Sequence, residues 1–225
     1  VIMFFGIIIV KNHDDFSYYH FQYTYYITQH PLLIGIGKFN HGFRTPSSIF
    51  YLNSLFYLPI VKYYMFNMGA LMIMGFSNVI IIKKIKNYLN NNEYNYLLIL
   101  NLLIFSFINI FFYRLAEHGT DRSAMILILL FILELLYFIN LKSNYKNFYI
   151  NVFVILGLII SLKSFYLLYL IFALPILFYI FKHKKNNELL DLIKLKNSFF
   201  NYFCLLVVSL LTINFFSTGC LVYPI

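Results

Sequence analysis

Apolar residues in this chain come in long blocks separated by short polar connections. A helix rising about 1.5 Å per residue needs roughly 20 apolar residues to cross a hydrocarbon core of about 30 Å. That rule predicts spans over Tyr64–Ile82, Tyr96–Tyr113, Ser123–Leu141 and Phe199–Phe216. Phe148–Phe181 is too long for one crossing, and Ser161-Leu162-Lys163-Ser164 divides it into a short hairpin. Val1–Val10 is too short to span and reads as the tail of a truncated helix, with a signal-peptide remnant as the alternative. The expectation is an all-α polytopic membrane protein of about seven membrane segments, the first truncated. Residues 1–225 would form a single transmembrane domain belonging to a longer chain.

Residues 11–63 break the pattern. Gly35, Gly37, Gly42, Pro31 and Pro46 punctuate this stretch and argue against another crossing. It reads as a first external loop in which Phe16–Thr28 and Ser47–Tyr57 form short helices lying in the membrane interface.

Composition strengthens the class and removes others. The chain is 61% hydrophobic and 11% charged, with a mean hydropathy of +0.77. A soluble domain carries about 25% charged residues, too many for this pattern to match. The formal charge of +9 does not imply nucleic acid, because the basic residues sit in short connections between apolar blocks. Cys204 and Cys220 are separated by about 24 Å along a helix, which excludes a disulfide. The favoured residues (Ile, Asn, Lys, Tyr, Phe) have A/T-rich codons, so the aromatic wealth carries little weight. The three arginines, Arg44, Arg114 and Arg122, are correspondingly more informative.

Alternation sorts the connections into two faces. One receives Lys83–Asn95, Lys142–Asn147 and Lys182–Ser198, with ten lysines in short loops, and is assigned to the cytoplasm. The other receives the residue 11–63 loop, Arg114–Arg122, Lys163 and Ser217–Ile225, and holds all three arginines. The expected location is a bacterial inner (cytoplasmic) membrane with the arginine face periplasmic or extracytoplasmic.

That face also gathers Asp14, Asp15, Glu117 and Asp121 with His13, His20 and His118. A carboxylate held beside the membrane surface is placed to accept a proton, so Asp14 and Asp15 are the candidate bases. The bland alternative is a solvated pair of loop acids. Arg114 and Arg122 could clamp a phosphate through several donors; alternatively the charges of Arg114-Leu-Ala-Glu117-His118-Gly119-Thr120-Asp121-Arg122 neutralise one another. Lys163 either snorkels or reaches an anionic headgroup. Glu134, mid-span, is costly unless paired and reads as structural or of unknown role. Gly35-Ile36-Gly37-Lys38 fails the phosphate-loop spacing because position 32 is Leu. A second carboxylate in the acidic pair is compatible with a divalent metal, and His20 and His41 are metal-ligand types, but no ligand set has recognisable spacing.

An acidic pair in the first external loop, followed by interfacial helices and alternating spans, resembles the GT-C glycosyltransferase superfamily, which includes protein O-mannosyltransferases and aminoarabinose transferases. Asp14-Asp15-x-x-Tyr18-Tyr19-His20, the Arg114–Arg122 connector and Gly219-Cys-Leu-Val-Tyr-Pro224 resemble more closely an uncharacterised group of bacterial polytopic membrane proteins. The resemblance implies that Asp14 or Asp15 is the catalytic carboxylate. It also implies a lipid-linked sugar donor, its polyprenyl phosphate held by Arg122, Arg114, Lys163 and Arg44. His20, Glu117, His118 and Asp121 would support the site. The expected partners are that donor and membrane lipids, with no nucleic acid. A lipid-linked glycan polymerase or ligase, and a transporter, are the alternative readings.

Overall fold

The computed structural model describes residues 14–30, 33–111, 119–141, 145–175, 178 and 198–222. Every named element among them is helical. We label the α-helices α1 (Phe21–Gln29), α2 (Ser48–Ser54), α3 (Met68–Asn90), α4 (Tyr96–Phe111), α5 (Gly119–Leu141), α6 (Tyr145–Leu162) and α7 (Ser198–Thr218). Short 3-10 turns link the early ones, a π-helical turn (Phe16–His20) leads into α1, and a 3-10 helix (Ser164–Ala173) follows α6.

Three segments are long and apolar enough to cross a membrane: Tyr63–Asn90, Thr120–Ile139 and Asn201–Thr218. Tyr96–Phe111, Asn151–Leu162 and Ser164–Ala173 are apolar but shorter. Helix α6 packs between α5 and α7, and α3 packs on α4 and α5. Ile126, Leu133, Leu156 and Ile159 fill the seams of this bundle. Gly157 lets α6 approach α7 closely, since a Cβ there would lie 3.2 Å from Leu206 and Phe203 side-chain atoms.

Helices appear at both short-helix positions expected in the first loop, as Phe16–His20 with α1, and as α2. Ser47 caps α2, its hydroxyl accepting from the Ile49 N–H at 3.4 Å. Asn53, near the end of α2, accepts from the Gly69 N–H at 2.8 Å and so satisfies an orphan donor in the first turn of α3. A Cβ at Gly69 would stand 2.6 Å from that Asn53 oxygen, which is why glycine occupies the position.

Helix boundaries depart from the hydropathy reading in a consistent direction. Lys83, Lys84 and Lys86 lie inside α3 rather than in a turn, because lysine is a good helix former and the backbone continues past the apolar block. The helix stops where Asn92 turns left-handed (φ +55°). The Glu93 N–H then donates to the Tyr88 carbonyl at 2.9 Å and the Asn92 N–H to Leu89 at 3.2 Å, a Schellman closure. Likewise α5 begins at Gly119, so Asp121 and Arg122 stand in its first turn and not in a connector. Lys146 and Asn147 belong to α6. The predicted break after Leu162 is present, with Lys163 extended (φ −163°, ψ 141°), but the limb beyond it winds as a 3-10 helix.

Candidate functional site

One end of the bundle brings together several of the expected site residues. The residue 14–67 lobe sits there, touching three other helix ends. The Tyr23 and Ser217 hydroxyls share a 3.3 Å hydrogen bond, and the Gly35 N–H donates to the Phe216 carbonyl at 2.8 Å, fixing the lobe to the end of α7. The Ser48 and Ser161 hydroxyls, 3.1 Å apart, join it to the end of α6. Thr120, in the first turn of α5, shares a narrow seam with Phe16, His20, Phe50 and Asn53.

Asp14 and Asp15 open the helical stretch that leads into α1, Asp14 exposed and Asp15 half-buried. Four residues on, the Tyr19 ring packs edge-on to His20 at 4.2 Å and to Phe50 at 6.4 Å. Burial, then the negative charges of Asp15 and Asp121, push the Tyr19 hydroxyl up to about 12. Tyr19 thus lies within the field of both carboxylates, one from the lobe and one from α5.

Asp121 accepts from two side chains at once. Its Oδ1 accepts from the Lys163 ammonium at 3.0 Å and from the Tyr166 hydroxyl at 2.7 Å. The chain reversal after Leu162 is what delivers both donors, since Lys163 caps the following 3-10 helix and Tyr166 stands one turn later. A carboxylate near a helix N-terminus is favoured by the helix dipole as well.

Arg122 reaches the other way. Its Nη1 donates to the Phe111 carbonyl at the end of α4, 2.8 Å away. Beside it a groove of about 710 Å³ runs between α4, α5 and the 3-10 helix. Asp121 and Arg122 form its polar end, while Phe107, Phe111, Ile128 and Leu129 make the walls apolar. Such a shape suits an elongated apolar molecule with an anionic head.

The structure brings Asp15, Asp121, Arg122 and Lys163 to one end of the bundle. His20 is buried at the base of the lobe, against Phe50 at 5.2 Å. Arg44 serves the lobe itself, its Nε donating to the Gly37 carbonyl at 3.0 Å. Arg114, Glu117, His118 and His13 lie outside the described residues. Among the described residues no three His, Cys, Asp or Glu side chains gather as a metal site. Glu134 is paired, its Oε1 lying 2.7 Å from the Lys84 ammonium. Tyr19, Tyr166 and Tyr169 were not legible as site residues, because an aromatic-rich chain hides individual tyrosines. The one available signal was the spacing of Tyr166 and Tyr169 three and six residues after Lys163.

Fold and site together define, among the described residues, an all-helical protein with three helices long and apolar enough to cross a membrane and a cluster of charged groups at one bundle end. The chain belongs to the family described as Domain of unknown function (DUF8201), whose family model matches residues 1–225. No curated protein and no solved structure matches it.

Proposed function

We propose that the chain is an integral-membrane glycosyltransferase that moves a sugar from a polyprenyl-phosphate carrier to an acceptor hydroxyl. In this reading it is a GT-C-like polytopic protein of about seven membrane segments with its active face extracytoplasmic. The observation that carries the reading is the junction of an acid-bearing lobe with an apolar groove whose polar end is Asp121 and Arg122. The groove suits an isoprenoid tail lying in the bilayer, and Arg122 is the bidentate donor beside which the phosphate would rest.

Asp15 is the better placed of the acidic pair, being half-buried and near Tyr19, while Asp14 is exposed. It takes the proton of the acceptor hydroxyl as that oxygen bonds to the anomeric carbon. The bond from that carbon to the phosphate oxygen breaks in the same displacement, and the configuration inverts. The lipid phosphate departs with the electron pair, and Arg122 and Lys163 offset its charge. Asp121 holds Lys163 at 3.0 Å and leaves the trio of Asp121, Arg122 and Lys163 with one net positive charge.

The test is transfer from a panel of polyprenyl-phosphate sugars in proteoliposomes. Asp15→Asn should insert and melt normally yet lose at least about 100-fold in rate, within the range general-base catalysis contributes. A protein that instead moves solute across the bilayer, in a manner lost with Glu134→Gln, is a transporter and overturns the reading.

A further inference from the structure

Segments of 3-10 helix beyond three or four residues are uncommon, because the hydrogen bonds are poorer than in an α-helix. Ser164–Ala173 holds that form for 10 residues. Every position from Phe165 to Phe172 is bulky, and within that run the aromatic residues Tyr166, Tyr169 and Phe172 recur every three residues. Phe165, Leu168, Ile171 and Leu174 form one stripe, each between 57% and 67% exposed. Tyr166, Tyr169 and Phe172 form a second, about 120° round the helix, and face the bundle. Their rings stack in sequence, Tyr166 to Tyr169 at 5.6 Å and Tyr169 to Phe172 at 5.6 Å. Phe172 in turn meets Phe131 of α5 at 6.0 Å.

This ladder exists only while the repeat is three. In an α-helix, with 3.6 residues per turn, each i+3 step falls about 60° short of a full circle. Tyr169 would leave the plane of Tyr166, and Phe172 would turn further. The segment would also shorten by about 0.5 Å per residue. Two kinds of contact therefore hold the 3-10 form: the aromatic stack along its length and the double tether of Lys163 and Tyr166 to Asp121 at its start. Leu174, directly after it, has α-helical dihedrals (φ −58°, ψ −46°). Pro175 lacks an N–H for the Ile171 carbonyl, so conversion to α-helix starts at the Lys163 end and reaches Tyr169 before that last turn.

Tyr169 is also a wall of the groove beside Arg122. We propose that Ser164–Ala173 is a two-state gate on that groove, latched by Asp121 in the 3-10 form and opened by conversion to α-helix. In the latched form Tyr169 stands on the groove wall; in the α form it swings aside and widens the path to Arg122. Any anionic head that draws Lys163 from Asp121 would release the latch, so occupancy and gate are linked. The gate concerns the shape of the groove and stands whether or not the chain transfers sugar.

The experiment reads the winding of the segment. Spin labels are attached through Phe165→Cys and Leu174→Cys on a Cys204→Ser, Cys220→Ser background in nanodiscs, with no sugar substrate present. Nine residue steps make three whole turns of 3-10 helix, which leaves both labels on one face about 18 Å apart. As α-helix the rise falls towards about 13.5 Å, but the labels swing up to about 180° apart onto different faces, which lengthens the distance between them. The unaltered segment should therefore give the shorter distance by dipolar EPR, and Asp121→Asn should lengthen it. Tyr166→Phe, which removes one hydrogen bond and little else, should convert part of the population. A long distance in the unaltered segment, or a short one in both variants, overturns the gate.

Discussion

Helix α5 carries a carboxylate near each end, and each has a lysine partner. Glu134 meets Lys84 of α3 at 2.7 Å, with Lys84 also 4.9 Å above the Tyr137 ring. Asp121 meets Lys163 at 3.0 Å and Tyr166 at 2.7 Å. The Glu134 side chain is 11% exposed, that of Asp121 45%. Around Glu134 the neighbouring devices are those that lock helices together. The Schellman closure ends α3 beside the pair, where Tyr88 and Glu93 border the same pocket as Lys84 and Tyr137. Farther along α3, Asn78 exchanges two amide hydrogen bonds of 3.1 Å with Asn109 of α4. Around Asp121 the partners sit on a segment that reverses direction, beside an open groove. A closed pair fixes helix register; a half-open one with several donors can exchange partners with a ligand.

The largest effect should come from breaking the closed pair on one side. Glu134→Ala leaves Lys84 enclosed without its counter-charge, a loss of about 3–5 kcal/mol for a buried pair, less here because Lys84 keeps some water contact. Thermal melting in detergent should show it. The double variant Lys84→Met, Glu134→Leu should recover most of that loss, since two apolar side chains replace the pair. Gly42→Ala follows: its Cβ would collide with the Tyr19 ring and force the ring out of the lobe. Overpacking of that kind costs about 1–3 kcal/mol, and melting of the lobe should reveal it. Asn78→Leu removes both bonds to Asn109 and should cost about 1 kcal/mol, given an average of about 0.6 kcal/mol for each hydrogen bond between membrane helices.

The smallest effect concerns Tyr19. Burial is the main reason its hydroxyl is pushed from 10.0 up to about 12, with Asp15 and Asp121 adding to it. Asp15→Asn should therefore lower the titration of Tyr19 while leaving it above 10.0, read as phenolate absorbance relative to Tyr19→Phe. The sign for stability follows from linkage. The folded state binds this proton more tightly, so the contribution is complete below the unfolded value of 10.0 and falls away as pH rises towards about 12.

The helical class was legible because long apolar blocks announce helices, and three of them are long and apolar enough to cross a membrane. The count of about seven segments was not, since Tyr96–Phe111, Asn151–Leu162 and Ser164–Ala173 are shorter than a crossing needs. The gathering of Asp15, Asp121, Arg122 and Lys163 at one end follows from simple alternation of the blocks. The helix ends were less legible: hydropathy marks where apolar residues stop, and the backbone runs on through Lys83–Lys86 and starts early at Gly119. The Lys84–Glu134 and Lys163–Asp121 pairs were illegible because each joins residues that only packing brings together. The 3-10 helix was not legible, because Phe165–Phe172 is bulky at every position and only the three-residue spacing of Tyr166, Tyr169 and Phe172 hints at it.

The most direct measurement compares both ends of α5 in one assay. Sugar transfer from polyprenyl-phosphate donors is followed in proteoliposomes for the unaltered protein, for Asp15→Asn, and for Lys84→Met, Glu134→Leu. Transfer should vanish in Asp15→Asn with its melting unchanged, and persist in the double variant. Transfer that survives Asp15→Asn at full rate, or fails in the double variant while it melts normally, would contradict the division between a chemical end and a structural one.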